Sequence, residues 1–338
     1  MISRIGSSRV TSIDVAQRAG VSQSTVSLVL SGKGEGRVAA ATADAVRTAA
    51  TELGYHPNAA ARTLKSGLSH TVGLVVPDIT NPVFGLVLRG AQQAATAAGY
   101  TVILVDVARG DGEESVRALR AAFVDGLLVF AIAPPAAALG PGGPPVVLMD
   151  MPATDLPSVT LDLKGGVHAA MEHLLGLGHR RIAHLRADVP TPTFVARANA
   201  WARALLDAGI DPADDLIVGS LFSHTAARVA GRDLLQRSPR PTAVLCDDDV
   251  LAAGLLLAAR DLGLTVPGDV SVVGFDDMPL AEMVTPPLTT VAFDVPLFGT
   301  RAFEVLLAHI RGDADAPRST WLATRLVIRE STAPPPTS

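Results

Sequence analysis

The chain has 338 residues, of which 48% are hydrophobic, and a formal net charge of −5. This length exceeds one ordinary core, so two or three domains are expected, and the single cysteine excludes an internal disulfide. The first residues carry no apolar run behind a basic end, and no run of about 18 apolar residues follows. We therefore expect no signal peptide, no membrane span and a cytoplasmic location in a reducing compartment.

The overall negative charge hides an asymmetry along the chain. Residues 1–67 hold 8 Lys and Arg against 4 Asp and Glu, a net charge of +4. Residues 68–338 hold 20 against 29, a net charge of −9. A basic segment can bind phosphates while an acidic remainder keeps the protein soluble, so the asymmetry favours DNA binding by the N-terminal part.

Residues 10–32 predict two short helices joined by a tight turn. Thr11 or Ser12 can cap the first helix, Gly20 can end it, and Ser22 can cap the second. The inward positions of the second helix are Val21, Val26, Val29 and Leu30. Its other face carries the small polar residues Gln23, Ser24 and Ser27. Such a helix-turn-helix can place its second helix in the DNA major groove, although an ordinary helical hairpin has the same spacing.

A third helix is expected from Val38 to Leu53, closed by Gly54. After it, Asn58 can cap the short segment 59–65. This segment is too short for a stable isolated helix, so it needs a partner, either another chain or DNA, to become ordered.

Beyond residue 70, strands alternate with helices. The predicted strands are 71–77, 100–107, 126–132, 145–150, 159–161, 181–185, 217–220, 243–246, 270–275, 288–291 and 321–329. The predicted helices are 82–99, 113–123, 167–178, 194–208, 226–236, 250–263 and 297–310. Alternation of this kind is typical of parallel sheets covered on both faces. We therefore predict an all-α helix-turn-helix head followed by an α/β core of two doubly wound parallel-sheet lobes.

Aspartates follow two of the predicted strands. Asp248 lies in the run 247–249, and Asp276 follows the strand that ends at Phe275. Open parallel sheets bind ligands outside the carboxyl ends of their strands, so Asp248 and Asp276 are candidate ligand-binding residues. For Asp249 and Asp277 we expect N-capping of the next helix instead.

Motifs of catalysis are missing from the sequence. His168 and Glu172 have the spacing of a metal-binding pair, but no third ligand accompanies them. No G-x-S-x-G elbow or Walker motif occurs, and the turn at residues 77–82 lacks the glycines of a nucleotide-binding fingerprint. We therefore expect no enzyme, no metal and no cofactor.

Seven segments together are similar to one protein family. They are VTSIDVAQRAGVSQSTVSLVL, ELGYHPNAAARTL, HTVGLVVPDITNPVFGLVLRGAQQAATAAGY, GHRRIAHL, DDVLAAG, VPGDVSVVGFDD and PPLTTV. In this order, from about Val10 to Arg329, they resemble the lactose/galactose-repressor family of bacterial transcription regulators. The resemblance implies a helix-turn-helix head, a hinge helix and a periplasmic-binding-protein-like core of two lobes that dimerises.

The resemblance also gives domain boundaries. The head would span 1–57, the hinge helix 58–67 and the core 68–330. Within the core, the N-lobe would comprise about 68–161 and 294–322, and the C-lobe about 162–293 and 323–330. The proline-rich tail 331–338 is expected to be disordered.

Residues that contact DNA follow from the same resemblance. Gln23, Ser24 and Leu28 match positions that face bases, and Leu28 departs from the arginine of many relatives. A leucine offers only apolar contact, for example with a thymine methyl, so the operator is expected to differ from the usual half-site. Asn58 matches the start of the hinge helix, and Leu64 matches a leucine that wedges into the minor groove. The full predicted DNA-binding set is Thr11, Ser22, Gln23, Ser24, Thr25, Ser27, Leu28, Asn58, Ala61 and Leu64.

Effector-binding residues are implied in the core. Arg197 matches the arginine that grips the effector, and Asp276 matches a carboxylate that binds sugar hydroxyls. Asp248 stands where relatives often have asparagine, which makes the pocket more acidic and argues against an anionic effector. Phe84 and Phe222 either pack against a sugar's apolar face or belong to the core. The predicted effector set is Phe84, Asp150, Arg197, Phe222, Asp248 and Asp276.

The predicted function is a homodimeric, sequence-specific transcriptional regulator, expected to be a repressor. It would bind a pseudo-palindromic double-stranded operator, and a sugar or polyol effector would switch its affinity. The alternative is a solute-binding protein of a sugar transport system, which shares the two-lobed core but requires an export signal and has no use for residues 1–67. A third hypothesis, a Rossmann-like enzyme, needs a nucleotide fingerprint after the first core strand.

Overall fold

The computed structural model describes residues 10–30, 32, 34–55, 67–107, 124–130, 143–151, 155–189 and 191–336. The chain divides into two compact units, Met1–Ser69 and His70–Ser338, which we call the head and the core. The predictions made for Asn58, Ala61, Leu64 and the helix 113–123 lie outside the described residues.

The described part of the head contains three helices. They are α1 (Ser12–Ala19), α2 (Gln23–Leu30) and α3 (Ala40–Glu52). Thr11 caps α1 in a capping box, because its Oγ1 accepts from Asp14 N and its own N donates to the Asp14 carboxylate. Gly20 ends this helix with a φ of 68°, a left-handed conformation that suits glycine. Apolar side chains of all three helices form a small core: Val15, Ala16, Val26, Val29, Ala43, Val46, Ala49 and Ala50.

The described part of the core contains two six-stranded sheets. The first sheet consists of β1 (Thr71–Val76), β2 (Thr101–Asp106), β3 (Gly126–Phe130), β4 (Val146–Met149), β5 (Ser158–Leu161) and β11 (Ser319–Leu322). The second consists of β6 (Ile182–Ala187), β7 (Ile217–Ser220), β8 (Ala243–Cys246), β9 (Ser271–Phe275), β10 (Thr289–Ala292) and β12 (Arg325–Val327). The strand orders are β11-β5-β4-β3-β1-β2 and β12-β10-β9-β8-β6-β7. Neighbouring strands are parallel except β10 and β12, which are antiparallel.

The chain passes between the two sheets after β5, after β10 and after β11, so each lobe is built from separate segments. The prediction of one terminal strand over 321–329 is wrong. Ser319–Leu322 pairs with β5 in the first sheet, whereas Arg325–Val327 pairs with β10 in the second. The chain changes sheets at 323–324, so this segment forms two short strands instead of one.

Helices cover both sheets. They are α4 (Val83–Ala97), α5 (Leu163–Gly176), α6 (Pro192–Asp207), α7 (His224–Leu235), α8 (Asp249–Asp261), α9 (Pro279–Met283) and α10 (Val295–Arg311), with a 3₁₀ turn at Asp214–Leu216. Helices α4 and α10 approach closely: a Cβ on Gly90 would lie 1.8 Å from the Pro296 carbonyl oxygen. A Cβ on Gly299 would lie 2.0 Å from the Val87 carbonyl oxygen. Among the described helices, none is both long enough and apolar enough to cross a membrane.

The prediction of a disordered tail is wrong for residues 331–336, which the structure describes. Ser331 is fully buried. Its Oγ donates to the Val272 carbonyl at 2.5 Å and accepts from Thr289 N at 2.8 Å. Further along, the Ala333 carbonyl bonds to His179 Nε2 at 2.9 Å. The segment satisfies backbone groups near the starts of β9 and β10, a role that its polar and proline-rich composition does not reveal.

Asp249 is a buried carboxyl group that holds the turn after β9. Its two oxygens accept from Thr290 Oγ1 at 2.6 Å and from Met278 N at 2.7 Å. Only glycine fits at position 274, because a Cβ there would lie 2.2 Å from Asp249 Oδ1. Burial raises the pKa of Asp249 to about 8, so its carboxyl group holds a proton at neutral pH.

The predicted capping roles of Asp249 and Asp277 are therefore wrong. Asp248 caps α8 instead, by accepting from Val250 N at 2.6 Å, and Asp277 pairs with Arg329 at 2.7 Å. In a run of three aspartates, the N-cap is the residue whose extended backbone precedes the first helical turn.

We expect the substitution Asp249→Asn to reduce the pH dependence of stability. Between the ordinary pKa of 3.8 and the folded value of about 8, the folded chain holds a proton that the unfolded chain has released. Stability therefore falls as pH rises through this window, by about 1.4 kcal/mol per pH unit for one proton. Urea denaturation from about pH 5 to about pH 8 should show a shallower decline for Asp249→Asn than for wild type. The exposed control Asp211→Asn should keep the wild-type slope, and an unchanged slope in Asp249→Asn would contradict the assignment.

Candidate functional site

The head presents most of its predicted DNA-binding residues on one surface of α2. Ser22, Gln23, Ser24 and Ser27 are exposed, whereas Thr25 and Leu28 are half-buried. Ser22 Oγ accepts from Thr25 N at 3.2 Å, so Ser22 also caps the helix. Gln23 Nε2 donates to Ser12 Oγ of α1 at 2.8 Å, which holds its amide near the start of the second helix.

The exposed face of α2 is small and rich in hydroxyl groups. Hydroxyls and amides can both donate and accept hydrogen bonds, which is the chemistry that base edges in the major groove require. Thr11 stands at the N-terminus of α1, where it is exposed but engaged in the capping box with Asp14. In the described head, α2 therefore exposes a polar face, while its opposite face packs in the small core formed by the three helices.

In the core, all six predicted effector residues line one cavity of about 490 Å³ between the lobes. This volume lies in the range of small-molecule sites, about 300–1,000 Å³. Phe84 and Asp150 come from the first lobe. The second lobe contributes Arg197, Phe222, Asp248 and Asp276. The structure thus brings together residues that lie up to 192 positions apart in the chain, from Phe84 to Asp276.

Arg197 is the cationic centre of this cavity and is 4% exposed. Its guanidinium carbon lies 3.6 Å from the centroid of the Phe275 ring. Its Nη1 donates to the main-chain carbonyl of Asp247, and its Nη2 lies 3.8 Å from Asp276 Oδ1. Its Nε is buried and has no hydrogen-bond partner among the described residues.

Asp247, whose main-chain carbonyl accepts from Arg197, is itself held in place by contacts of its side chain. Asp247 accepts through its side chain from the backbone N of Ala187 and lies 2.9 Å from His184 Nε2. The His184 ring in turn stacks on Trp201 with a centroid separation of 5.6 Å. These fully enclosed side chains restrict the position of the arginine before any ligand arrives.

Burial disfavours the charged form of the carboxyl groups that line the cavity. Burial raises the pKa of Asp248 well above its ordinary value, and the neighbouring Asp276 raises it further. Burial also raises the pKa of Asp276, while Arg197 and a hydrogen bond from Asp248 oppose that rise. The protonated form is therefore favoured at Asp248, whereas Arg197 favours the charged form of Asp276.

Asp150 closes the cavity from the first lobe. Burial raises its pKa, and Arg197 and a hydrogen bond from Thr193 counteract this. Thr193 Oγ1 lies 3.0 Å from Asp150 Oδ2 and donates to its main-chain carbonyl at 2.7 Å. This contact joins the two lobes through two residues that line the cavity. The other carboxyl oxygen, Oδ1, is buried and has no partner among the described residues.

Two of these carboxyl groups belong to residues whose backbone has a positive φ. Asp150 has a φ of 52° and Asp276 a φ of 100°, each directly after a strand. Aspartate enters this region more readily than most residues, but a positive φ still costs free energy. Both residues line the cavity, so the strained turns at the carboxyl ends of β4 and β9 present carboxyl groups to it.

Several residues that line the cavity were not predicted from the sequence. They are Asp78, Asn81, Phe130, Thr191, Thr193, Phe194 and Phe293. Most of them follow a parallel strand, so the rule that ligands bind outside strand carboxyl ends predicts them once it is applied to every strand. Phe84 packs edge-on against Phe130 at 4.9 Å, and Phe222 tilts against Phe194 at 6.3 Å. These aromatic residues serve both as core and as walls of the cavity.

The head and the core each match the model of a known protein family or domain. Residues 12–58 match the family model of bacterial regulatory proteins, lacI family. Residues 171–332 match a periplasmic binding protein-like domain. The HTH-type transcriptional regulator DegA of Bacillus subtilis is 32% identical over 96% of this chain and 99% of its own length.

Two solved structures are similar over the whole length. The transcriptional regulator CelR in complex with cellobiose superposes with a TM-score of 0.73 at 32% identity, covering 96% of this chain and 100% of the other. The Lac repressor dimer bound to operator and the anti-inducer ONPF gives a TM-score of 0.86 at 28% identity, with the same coverage. The chain belongs to the LacI family of bacterial transcription regulators.

Proposed function

We propose that the protein is a transcriptional repressor that acts as a homodimer in the cytoplasm. Its head binds a pseudo-palindromic operator, and a sugar-like effector in the cavity between the lobes changes its operator affinity. The observation that carries this proposal is the cavity itself, since six residues predicted for effector binding line it.

The geometry of the cleft supports a switch. The cavity is lined from both lobes, and the hydrogen bond from Thr193 to the Asp150 main chain joins two of the residues that line it. A ligand that contacts both lobes stabilises the arrangement that makes most contacts with it. Such differential binding is the physical requirement for a change in DNA affinity.

The relatives suggest the class of ligand and the assembly. CelR is described in complex with cellobiose, which is a neutral disaccharide. The Lac repressor is described as a dimer bound to operator. For this chain we propose a sugar-like effector and a dimer, with Gln23, Ser24, Ser27 and Leu28 at the bases. The hinge residues Asn58, Ala61 and Leu64 stay predictions from the sequence.

The general test is selection of bound fragments from genomic DNA by the full-length protein. A positively charged head should give affinity that falls steeply with salt, because binding releases counterions from DNA. Failure to retain any fragment at low salt would contradict the proposal. The selected fragments supply the operator for the experiments below.

Leu28→Arg should change the operator sequence that the protein prefers. An arginine can bond both acceptors of guanine, which is worth about 1–3 kcal/mol at one position of each half-site. Ile13→Arg is a matched control, because it adds the same charge at an exposed position of α1. Selection from random DNA should return a new guanine for Leu28→Arg and the wild-type motif for Ile13→Arg. If Leu28→Arg also returns the wild-type motif, Leu28 does not face a base.

Asp276→Asn should weaken the response to effector. Loss of a charged acceptor costs about 1.5–3 kcal/mol, so the effector concentration for half of the full response should rise about 10- to 100-fold. The effector is the sugar that most raises the melting temperature of wild type in a library screen. Fluorescence anisotropy of labelled operator measures the response, and the exposed control Asp211→Asn should respond as wild type does. An unchanged response in Asp276→Asn would place the effector elsewhere.

A further inference from the structure

The charges that line the effector cavity are unbalanced. Carboxyl groups of Asp78, Asp150, Asp248 and Asp276 face a single cation, Arg197, among the lining residues that the structure describes. Arg197 is already committed to Asp276 and to the Phe275 ring. Arg197 also lowers the pKa of Asp150, so this one cation acts on more than one of the four carboxyl groups.

Asp150 shows where a ligand would interact. Its side chain is 95% buried and its Oδ1 has no hydrogen-bond partner among the described residues. A buried carboxyl oxygen without a donor is costly, and proteins rarely leave one unless a ligand or water completes it. The side chain lines the cavity, and we expect a molecule bound there to supply the missing donor after a local adjustment that exposes this buried oxygen.

Asp248 and Asp276 add a second requirement. Both side chains line the cavity, and burial together with the neighbouring Asp276 raises the pKa of Asp248, which favours a proton there. A neutral ligand leaves this proton in place. A cation beside the pair lets both groups ionise, because it replaces this proton with a favourable charge interaction.

The cavity walls are compatible with a cation that also carries hydroxyl groups. Phe84, Phe130, Phe194, Phe222 and Phe293 line the cavity, and the faces of such rings attract ammonium groups. Thr191 Oγ1 and Arg197 Nε are buried without a partner among the described residues, and both can bond to hydroxyl oxygens. The polar groups therefore divide into an acidic part and a part that suits a polyol.

We propose that the effector carries a protonated amine as well as hydroxyl groups, as an amino sugar does, and that Asp150 and Asp248 bind the ammonium group. This inference rests on the proposed function, since it assumes that the effector occupies the cavity. It goes further by assigning the charge of the ligand and the residues that select for that charge.

The test is calorimetric titration of the full-length protein at about pH 6.5 with three sets of probes. These are glucosamine, galactosamine and mannosamine, each with its parent hexose and its N-acetyl derivative, which lack the charge. At least one amine should bind tenfold or more tightly than both of its neutral counterparts. Its heat of binding should depend on the buffer, because the ammonium group displaces the proton on Asp248.

Two variants assign the effect to the proposed residues. Asp150→Asn and Asp248→Asn should each reduce the preference for the amine at least tenfold. Asparagine tolerates the left-handed backbone of position 150 and can cap α8 at position 248, so both variants are compatible with the fold. The exposed control Asp211→Asn should keep the full preference.

Equal or tighter binding of the parent hexoses would overturn the inference, and so would failure of all three amines to bind. A hexose that binds and changes operator affinity would leave the proposed function in place while excluding a cationic effector. A protein that binds an amine without any change in operator affinity would support the cation site and contradict the proposed function.

Discussion

The constraint on which the effector site depends is the burial of several carboxyl groups around one guanidinium. A buried carboxylate without compensation is costly, so each group here is either protonated, paired or hydrogen-bonded. Arg197 stabilises the charged form of Asp276. Asp248 favours its protonated form beside Asp276. Asp249, which is buried against Thr290, also holds a proton. The carboxyl groups of the cavity therefore have unfavourable electrostatics that a suitable ligand can relieve.

This arrangement makes the cleft sensitive to a ligand that contacts both lobes. Asp150 belongs to the first lobe and Arg197 to the second, and the charge of each affects the other's surroundings. A ligand that completes Asp150 and also contacts the second lobe stabilises one lobe arrangement over others. The enclosed support of Arg197 by Asp247 and His184 means that the ligand, and not a rearrangement of the arginine, supplies this difference.

Much of the fold could be predicted from the sequence because its periodicity is strong. Buried strands such as Thr71–Val76 and Ile182–Ala187 read as continuous apolar runs, and the capping signal at Thr11 is local. The predictions that were wrong depended on distant partners. Nothing near Ser331 in sequence indicates that its hydroxyl completes the backbone of Val272 and Thr289. Likewise, the run 247–249 does not indicate which aspartate caps the helix and which is buried against Thr290.

The site was predictable in part for the same reason. Asp248 and Asp276 follow strands and could be selected by that rule, whereas Arg197 came from family resemblance. Neither route predicts the unpartnered Asp150 oxygen or the protonated form of Asp248, because both depend on how the two lobes enclose the cavity. Side-chain contacts between lobes are set by tertiary packing and not by local pattern.

The central claim, that a ligand in the cleft controls DNA binding, is tested most directly by thermodynamic reciprocity. Calorimetry measures the affinity of the tightest-binding hexose or hexosamine for the full-length protein, first alone and then saturated with operator DNA. If the two sites are coupled, operator must change the affinity for this ligand by the same factor by which the ligand changes operator affinity. The account predicts a factor of about 5–150 in both directions, typical of coupled sites. Equal ligand affinity with and without operator would contradict it.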